Sequence, residues 1–213
     1  MRTILVCLML FCIALSCTTK GREAEYQISE VADDATARKH LVMDVHNLEP
    51  GKVTFEAVVD AHQKDLAVQS KYGVKLIKFW VDETAGKVYC LAESRDSVSL
   101  FNTHRDAHGL LPDRVFDVSE GVEATMSDNP TLFLDVHKLG PGNVTEDDVA
   151  AIHIKDLDVQ SKHGVEFINY WVDTRAGIVM CLVEARDSVS IANAHKEAHG
   201  FIPDEIHRVK QGQ

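Results

Sequence analysis

Histidine is the residue type in this 213-residue sequence that most suggests chemistry, because its copies recur at a fixed spacing. Eight of the eleven histidines form four pairs, and the members of each pair lie 91 residues apart. Imidazole is a common ligand of divalent transition metals and a common proton acceptor near neutral pH. The pairs are His46/His137, His62/His153, His104/His195 and His108/His199. Any site that these residues form is therefore expected twice.

Two predicted helices in each copy combine histidines with a carboxylate. His104 and His108 are four residues apart and share one helix face, an arrangement that suits two ligands of one metal ion. His62 and Asp65 belong to the inward-facing stripe of the preceding helix. We expect His62 to add a third nitrogen and Asp65 to be an oxygen ligand or to orient an imidazole. The corresponding residues of the second copy are His153, Asp156, His195 and His199.

A second group is expected at strand ends. Asp44 and His46 alternate onto the same side of the first predicted strand, and Glu93 ends a strand predicted to lie beside it. We therefore expect all three to approach one rim of the sheet, with His46 and Glu93 as metal ligands and Asp44 as an orienting group. The corresponding residues of the second copy are Asp135, His137 and Glu184.

Each group also has a purely structural interpretation. His108 precedes Gly109, and an imidazole there suits the negative end of a helix dipole. His62 could simply hydrogen-bond to Asp65 within a folded core, where polar groups need partners. The same holds for Asp44 and His46, so the sequence leaves both interpretations open.

The histidine spacing belongs to a duplication of a whole domain. Residues 41–118 align with residues 132–209 without a gap, and about 43 of these 78 positions are identical. The first repeat is therefore placed at residues 41–118, the linker at 119–131 and the second repeat at 132–210.

Each repeat predicts the element order β-α-β-β-α-β. Thr54 and either Asp96 or Ser97 are expected to cap the two helices of the first repeat. This order is that of the ferredoxin-like fold, an α+β architecture with both helices on one face of an antiparallel sheet. We expect the helices to follow parallel central strands and to run in the same direction. The other sheet face is half apolar, so the second repeat should cover it, giving a pseudo-dimeric α/β-barrel that is monomeric as a chain.

The N-terminal 16 residues have the pattern of a secretory signal. An apolar run of about a dozen residues follows Arg2, and it is shorter than the roughly 20 residues that a membrane-spanning helix needs. Residues 14–17 read Ala-Leu-Ser-Cys, which resembles a bacterial lipobox and predicts lipidation of Cys17. The small residues at positions 14 and 16 would also suit an ordinary signal peptidase. We expect a cell-envelope lipoprotein, tethered by residues 17–40, or otherwise a secreted protein.

Charge and cysteine content limit the partners. The formal net charge of −11 disfavours nucleic acid and anionic lipid surfaces, leaves a lipid anchor as the only expected membrane contact, and modestly favours cations. Cys90 and Cys181 occupy equivalent places in apolar strands, and two cysteines do not make a disulfide framework. Both are expected to be small buried hydrophobic residues.

Four short motifs of the first repeat carry a resemblance to a known family. They are Asp44-Val45-His46, Trp80-Val81-Asp82, Cys90-Leu91-Ala92-Glu93 and the segment 104–109, His-Arg-Asp-Ala-His-Gly. With their counterparts in the second repeat, they resemble a bacterial family of small domains that includes an actinobacterial nickel-binding protein with a dimeric ferredoxin-like α/β-barrel. The resemblance implies a metal-binding barrel with nickel as the first candidate. This chain differs in being a fused pair with an export signal.

Three functions compete at this point. The first is binding of a divalent transition metal, and mixed nitrogen and oxygen ligands suit nickel, zinc or copper(II). The second is a small-molecule-binding barrel or an enzyme resembling cofactor-free oxygenases, in which a histidine beside a carboxylate abstracts a proton in a barrel cavity. The third is a binding or scaffold module whose histidines have only structural roles.

Overall fold

The computed structural model describes residues 39–213. The predicted signal peptide, the predicted lipidation residue Cys17 and nearly all of the predicted tether lie outside the described residues. Among the described residues, no helix has both the length and the apolar character needed to cross a membrane.

Both repeats contain the predicted elements, which begin and end at local capping signals. Thr54 and Asp96 cap the two helices of repeat 1 by accepting hydrogen bonds from backbone N–H groups three residues later. Repeat 1 contains β1 (His40–Asn47), α1 (Phe55–Val68), β2 (Lys75–Asp82), β3 (Lys87–Ser94), α2 (Ser97–Ala107) and β4 (Arg114–Glu120). Repeat 2 contains β5 (Leu132–Lys138), α3 (Glu146–His163), β6 (Val165–Asp173), β7 (Ile178–Ala185), α4 (Ser188–Ala198) and β8 (Glu205–Gly212). A short 3-10 helix, Gln69–Tyr72, follows α1.

The eight strands close into one barrel in the order β1-β3-β2-β8-β5-β7-β6-β4. In each repeat the first strand lies between the third and the fourth, as in the ferredoxin-like fold. The last strand of each repeat also pairs with the second strand of the other, β4 with β6 and β8 with β2. The α+β class and the pseudo-dimeric barrel are therefore confirmed. Because the two sheets join at both edges, neither repeat leaves an unpaired sheet edge.

The direction of the helices differs from the expectation. β1 and β3 pair antiparallel, with His40 opposite Ser94 and Asn47 opposite Lys87. Since α1 follows β1 and α2 follows β3, the two helices start at opposite ends of the sheet and run in opposite directions. The expectation of parallel central strands was wrong because β1 is parallel to β2, and β3 is inserted between them as an antiparallel neighbour of both.

Alternation along β1 separates an inner apolar layer from an outer polar one. Met43 and Val45 join the apolar cluster inside the barrel, where the rings of Trp80 and Trp171 lie 5.0 Å apart. This cluster draws residues from both repeats and fills the interior. Asp44 and His46 alternate with Met43 and Val45 and so face the outer side of the sheet, beneath the helices. A different polar cluster, His207 with Asp82 and Glu205, lies on the inner side of its strands.

Candidate metal centres

Five side chains of repeat 1 meet between the outer face of the sheet and the helices. Asp44 and His46 project from β1, Asp65 from α1, His104 from the last turn of α2, and His108 caps the end of α2. Four of the five are buried, and the side chain of His108 is only 11% exposed. We call these five residues the polar row of repeat 1, in the order His46, Asp44, His104, Asp65 and His108.

Alternating imidazole and carboxylate contacts connect the row. Nε2 of His104 lies 3.2 Å from Oδ2 of Asp44, and its Nδ1 lies 3.0 Å from Oδ1 of Asp65. Nε2 of His108 lies 3.2 Å from Oδ2 of Asp65. At the other end, Nε2 of His46 lies 3.1 Å from Oδ1 of Asp44. The helices and the first strand are thus joined through a buried set of ionisable groups.

His104 carries the positive charge of the row. An ionised carboxylate only accepts hydrogen bonds, so an imidazole placed between two of them must donate from both nitrogens. Burial alone would lower the pKa of His104, but the hydrogen bonds to Asp44 and Asp65 raise it to about 10. Burial alone would raise the pKa of Asp44, but the adjacent imidazoles, His104 foremost, lower it to about 2. Two carboxylates and one imidazolium leave a net negative charge in a buried place.

The row contains buried polar atoms that the protein does not satisfy. Among the described residues, three buried side-chain nitrogen or oxygen atoms lack a hydrogen-bond partner: Oδ1 of Asp44, Nδ1 of His46 and Oδ1 of Asp135. The contact between His46 and Oδ1 of Asp44 is short, but it does not have hydrogen-bond geometry. Buried polar groups are costly without partners, and a cation is one partner that would satisfy these atoms.

The equivalent residues of repeat 2 form a second row with nearly the same geometry. Nε2 of His195 lies 3.2 Å from Oδ2 of Asp135, and its Nδ1 lies 3.0 Å from Oδ1 of Asp156. Nε2 of His199 lies 3.1 Å from the same Asp156 oxygen. Hydrogen bonds to Asp135 and Asp156 outweigh burial and raise the pKa of His195 to about 9. The polar row of repeat 2 consists of His137, Asp135, His195, Asp156 and His199.

Two cysteines lie beside these rows. From the sequence we expected both to be small buried hydrophobic residues. Cys90 is the cross-strand partner of Asp44, and Cys181 is the partner of Asp135. Burial, followed by the nearby carboxylates, raises the pKa of both thiols well above the usual value. The signal that could have identified them is strand parity, because a residue directly opposite Asp44 must share its sheet face.

Within the described residues, the donors of each repeat form two candidate metal groups. Asp44, His46 and Cys90 form the strand-side group of repeat 1, whereas the helix-side group contains Asp65, His104 and His108. In each group the three ligand atoms lie within 4.8 Å of one another. Repeat 2 has the same two groups, Asp135, His137 and Cys181 on the strand side and Asp156, His195 and His199 on the helix side. Imidazole, carboxylate and thiolate donors fit nickel, zinc or copper.

His62 and His153 lie next to these groups but not in them. The His62 ring is buried against Phe79, with ring centroids 4.9 Å apart, and the His153 ring lies 4.9 Å from that of Tyr170. Burial lowers the pKa of both histidines. The structure therefore does not bring them together with the other donors as the third nitrogen that we expected.

Glu93 and Glu184 are not brought to the candidate groups either. Oε1 of Glu93 pairs with Lys75 at 3.0 Å, and the Glu184 carboxylate accepts hydrogen bonds from Ser127. The grouping of Glu93 with Asp44 and His46 is corrected by parity, because Glu93 is an odd number of residues from Cys90 and faces the opposite side of the sheet. Cys90 occupies the place that we had given to Glu93.

A closed ferredoxin-like barrel with duplicated His, Asp and Cys groups defines a class of candidate metal-binding proteins. A family model described as nickel responsive protein SCO4226-like matches residues 43–118 and 133–209. The chain therefore belongs to the SCO4226-like nickel-responsive family.

Several solved structures match parts of the chain. SCO4226 from Streptomyces coelicolor A3(2) is 33% identical, and the match covers 38% of this chain and 99% of that chain with a TM-score of 0.36. A putative monooxygenase from Lactobacillus acidophilus NCFM is 11% identical, covering 81% of this chain and 94% of that chain at a TM-score of 0.42. A putative monooxygenase from Fusobacterium nucleatum is 16% identical, and the match covers 81% of this chain and 91% of that chain with a TM-score of 0.40. No curated protein matches the chain.

Proposed function

We propose that this protein binds divalent transition metal ions, with nickel as the first candidate, at one strand-side group in each repeat. The observation that carries this proposal is the set of unsatisfied buried atoms, all of which belong to these groups. A metal at Asp44, His46 and Cys90 would satisfy the free oxygen of Asp44 without breaking its hydrogen bond to His104. Membership of a nickel-responsive family supports nickel, while zinc and copper(II) are the competing ions.

The helix-side groups are proposed as weaker sites or as orienting groups. Both nitrogens of His104 already donate to carboxylates, so a metal at Asp65, His104 and His108 must displace a proton from an imidazolium with a raised pKa. The strand-side group must lose a thiol proton, but Oδ1 of Asp44 and Nδ1 of His46 have no hydrogen bond to break. His104 then acts on the metal through Asp44, as a positioning residue.

The direct test is metal stoichiometry. The purified protein is stripped with EDTA, dialysed against equimolar nickel, zinc and copper, and its bound metal is measured by plasma mass spectrometry. We expect about two tightly bound ions per chain, one per repeat, with a higher thermal midpoint, because a ligand that binds only the folded state stabilises it. Fewer than about 0.2 ions per chain, with an unchanged midpoint, would contradict metal binding altogether.

Paired variants locate the site. The double variant Asp44→Asn and Asp135→Asn should lose both tightly bound ions, whereas Asp65→Asn and Asp156→Asn should retain them. His46→Gln combined with His137→Gln is a milder alternative, because both imidazoles lie at the end of their rows. Loss of metal only in the Asp65 and Asp156 pair would move the site to the helix side. Circular dichroism of each metal-free variant controls for folding.

We also propose that the protein is exported and lipid-anchored at Cys17. The support is the sequence of residues 1–17 alone, with its apolar run and Ala-Leu-Ser-Cys ending. Metabolic labelling with an alkyne fatty acid should label the wild-type protein but not Cys17→Ser. Secretion of an unlabelled wild-type protein into the medium would contradict the anchor and favour ordinary signal cleavage.

The chain is proposed to be monomeric apart from its anchor. The barrel closes within one chain because β4 pairs with β6 and β8 pairs with β2. Multi-angle light scattering of a form lacking the lipid should give the mass of one chain. A dimer at micromolar concentration would contradict this expectation.

A further inference from the structure

The two repeats differ in the space next to their polar rows. In repeat 2, a cleft of about 410 Å³ lies between α3, the end of α4 and the outer face of the sheet. The corresponding space in repeat 1 is only about 50 Å³. Pockets for small organic ligands usually measure about 300–1,000 Å³, so of the two spaces beside the polar rows that the structure describes, the one in repeat 2 has that size and the one in repeat 1 does not. The duplication therefore copied the polar row but not its surroundings.

One sequence difference accounts for much of this asymmetry. Phe55 begins α1, and its ring lies 5.7 Å from that of Phe79 and packs against the apolar cluster around Val53. The residue at the same place in α3 is Glu146, whose side chain is exposed. Exchanging a half-buried ring for an exposed carboxylate removes apolar bulk beside Val144 and Tyr170, and both residues line the cleft.

The lining of the cleft combines apolar side chains with residues of the polar row and with His153. Val149, Ile152 and Phe201 supply apolar surface, and the imidazole of His153 also lines the cleft. Within residues 39–213, no protein group makes a hydrogen bond to this imidazole, which packs against the rings of Tyr170 and Phe167. Because burial lowers the pKa of His153, the ring is neutral at pH 7 and can donate one hydrogen bond and accept another.

The charges around the cleft select against anions. Neither lysine nor arginine lines it among the described residues, whereas Asp148 and Asp156 do. The first turn of α3 adds Glu146 and Asp147 near its mouth. A ligand with a carboxylate would meet these carboxylates and one imidazolium, His195, whose two nitrogens already face Asp135 and Asp156, while an uncharged or cationic ligand would not be repelled.

We propose that the repeat 2 cleft binds a small uncharged or cationic organic molecule that has an apolar body and a nitrogen atom able to hydrogen-bond to His153. The apolar body contacts Val149, Ile152 and Phe201, and the nitrogen lies toward the polar row. Five residues of the repeat 2 metal groups also line this cleft, but hydrogen bonding to His153 needs no metal, so the ligand should bind to the metal-free protein. It also assigns a role to His153, which the candidate metal groups do not use.

The test uses 4-phenylimidazole with EDTA-treated protein, followed by calorimetry and methyl NMR. We expect one binding site per chain, with shifts of the Ile152 methyl signals. Glu146→Phe restores the ring found in repeat 1 and should weaken binding at least about tenfold, whereas Glu146→Gln should not. Phenylacetate, of similar size but anionic, should bind at least about tenfold more weakly than 4-phenylimidazole.

Several results would overturn the proposal. They are equal binding by the wild type and Glu146→Phe, equal binding of phenylacetate, absence of binding at millimolar concentration, and binding only after nickel is added. Nickel stoichiometry is measured on the same samples. If 4-phenylimidazole does not bind to the cleft, the nickel stoichiometry should still be about two ions per chain. If nickel does not bind, the affinity for 4-phenylimidazole should be unchanged, so the two failures are distinguishable.

Discussion

Raising the pH from 6.5 to 8.5 in the presence of EDTA should destabilise this protein strongly. His104 and His195 have pKa values of about 10 and about 9 in the folded protein, against 6.5 for an ordinary histidine. A raised folded pKa stabilises the protein fully below pH 6.5, and this stabilisation is lost as the pH rises toward the folded value. Both histidines are at most 2% exposed, so solvent screening is small.

The size of the stability loss follows from the pH range between the unfolded and the folded pKa of each histidine. Between its unfolded and folded pKa, each histidine removes about 1.4 kcal/mol of stability per pH unit. Two histidines over two pH units, with allowance for partial titration at both ends, give a loss of about 4 kcal/mol. Because the barrel interior is shared by both repeats, the two contributions should appear in one unfolding transition. A domain of total stability of about 5–15 kcal/mol would register this loss clearly.

Urea unfolding followed by the fluorescence of Trp80 and Trp171 measures the free energy of unfolding at each pH, and imidazole NMR identifies the titrating rings. Asp65→Asn combined with Asp156→Asn replaces one of the two carboxylates beside each central histidine with a neutral amide and should reduce the loss to less than about half. A free energy that is constant within about 0.5 kcal/mol, or a His104 ring that titrates near its ordinary pKa, would refute the assignment of an imidazolium between two carboxylates.

Other predictions concern the metal, the thiols, the core and one turn. Apparent nickel affinity should rise from about pH 6 to about pH 8, because binding displaces thiol and imidazole protons. Titration calorimetry in two buffers measures the release of these protons. A pH-independent affinity would argue against these donors. Cys90→Ser with Cys181→Ser should remove the near-ultraviolet sulfur-to-metal band of cobalt-loaded protein; a band that survives excludes the thiols as ligands. Trp80→Ala should cost about 3–5 kcal/mol in urea unfolding, and a cost below about 1 kcal/mol would contradict the packed interior. Gly177→Ala should destabilise the protein by at least about 1 kcal/mol more than Gly164→Ala. Both glycines have positive φ, but only at Gly177 would an added Cβ clash with a backbone oxygen, that of Gly140. Equal thermal midpoints of the two variants would contradict this.

The position of Cys90 illustrates why ligand sets are hard to predict from sequence. Its apolar flanks correctly indicated a buried strand residue, and it is buried. Its partner across the sheet is Asp44, however, and that pairing depends on the register between β1 and β3. A shift of one residue would place Cys90 inside the barrel and Glu93 beside the polar row. Sequence patterns identify which residues of a strand share a sheet face. The register between strands decides which residues of the neighbouring strand lie beside them.

The helix residues illustrate the opposite case. The i, i+4 spacing of His104 and His108 places both on one face in any α-helix, and the inward stripe of α1 contains Asp65. Their contacts at 3.0 and 3.2 Å therefore follow from the amphipathic pattern once the helices pack on the same sheet face. His62 belongs to the same inward-facing stripe of α1, yet it packs on Phe79. The stripe is wider than the contact between the two helices, so some of its residues face the sheet.

The amino-acid sequence by itself determined the duplication, the element order and the pairing of eight of the eleven histidines, because gapless self-similarity and residue periodicity are properties of the chain alone. Only the tertiary structure decided that the helices run antiparallel, that each last strand closes the barrel against the other repeat, and that an imidazolium lies between two carboxylates. It also decided that repeat 2 has an open cleft and repeat 1 does not. These properties depend on strand register and on which side chain fills a given space, and both are set by contacts between residues far apart in sequence.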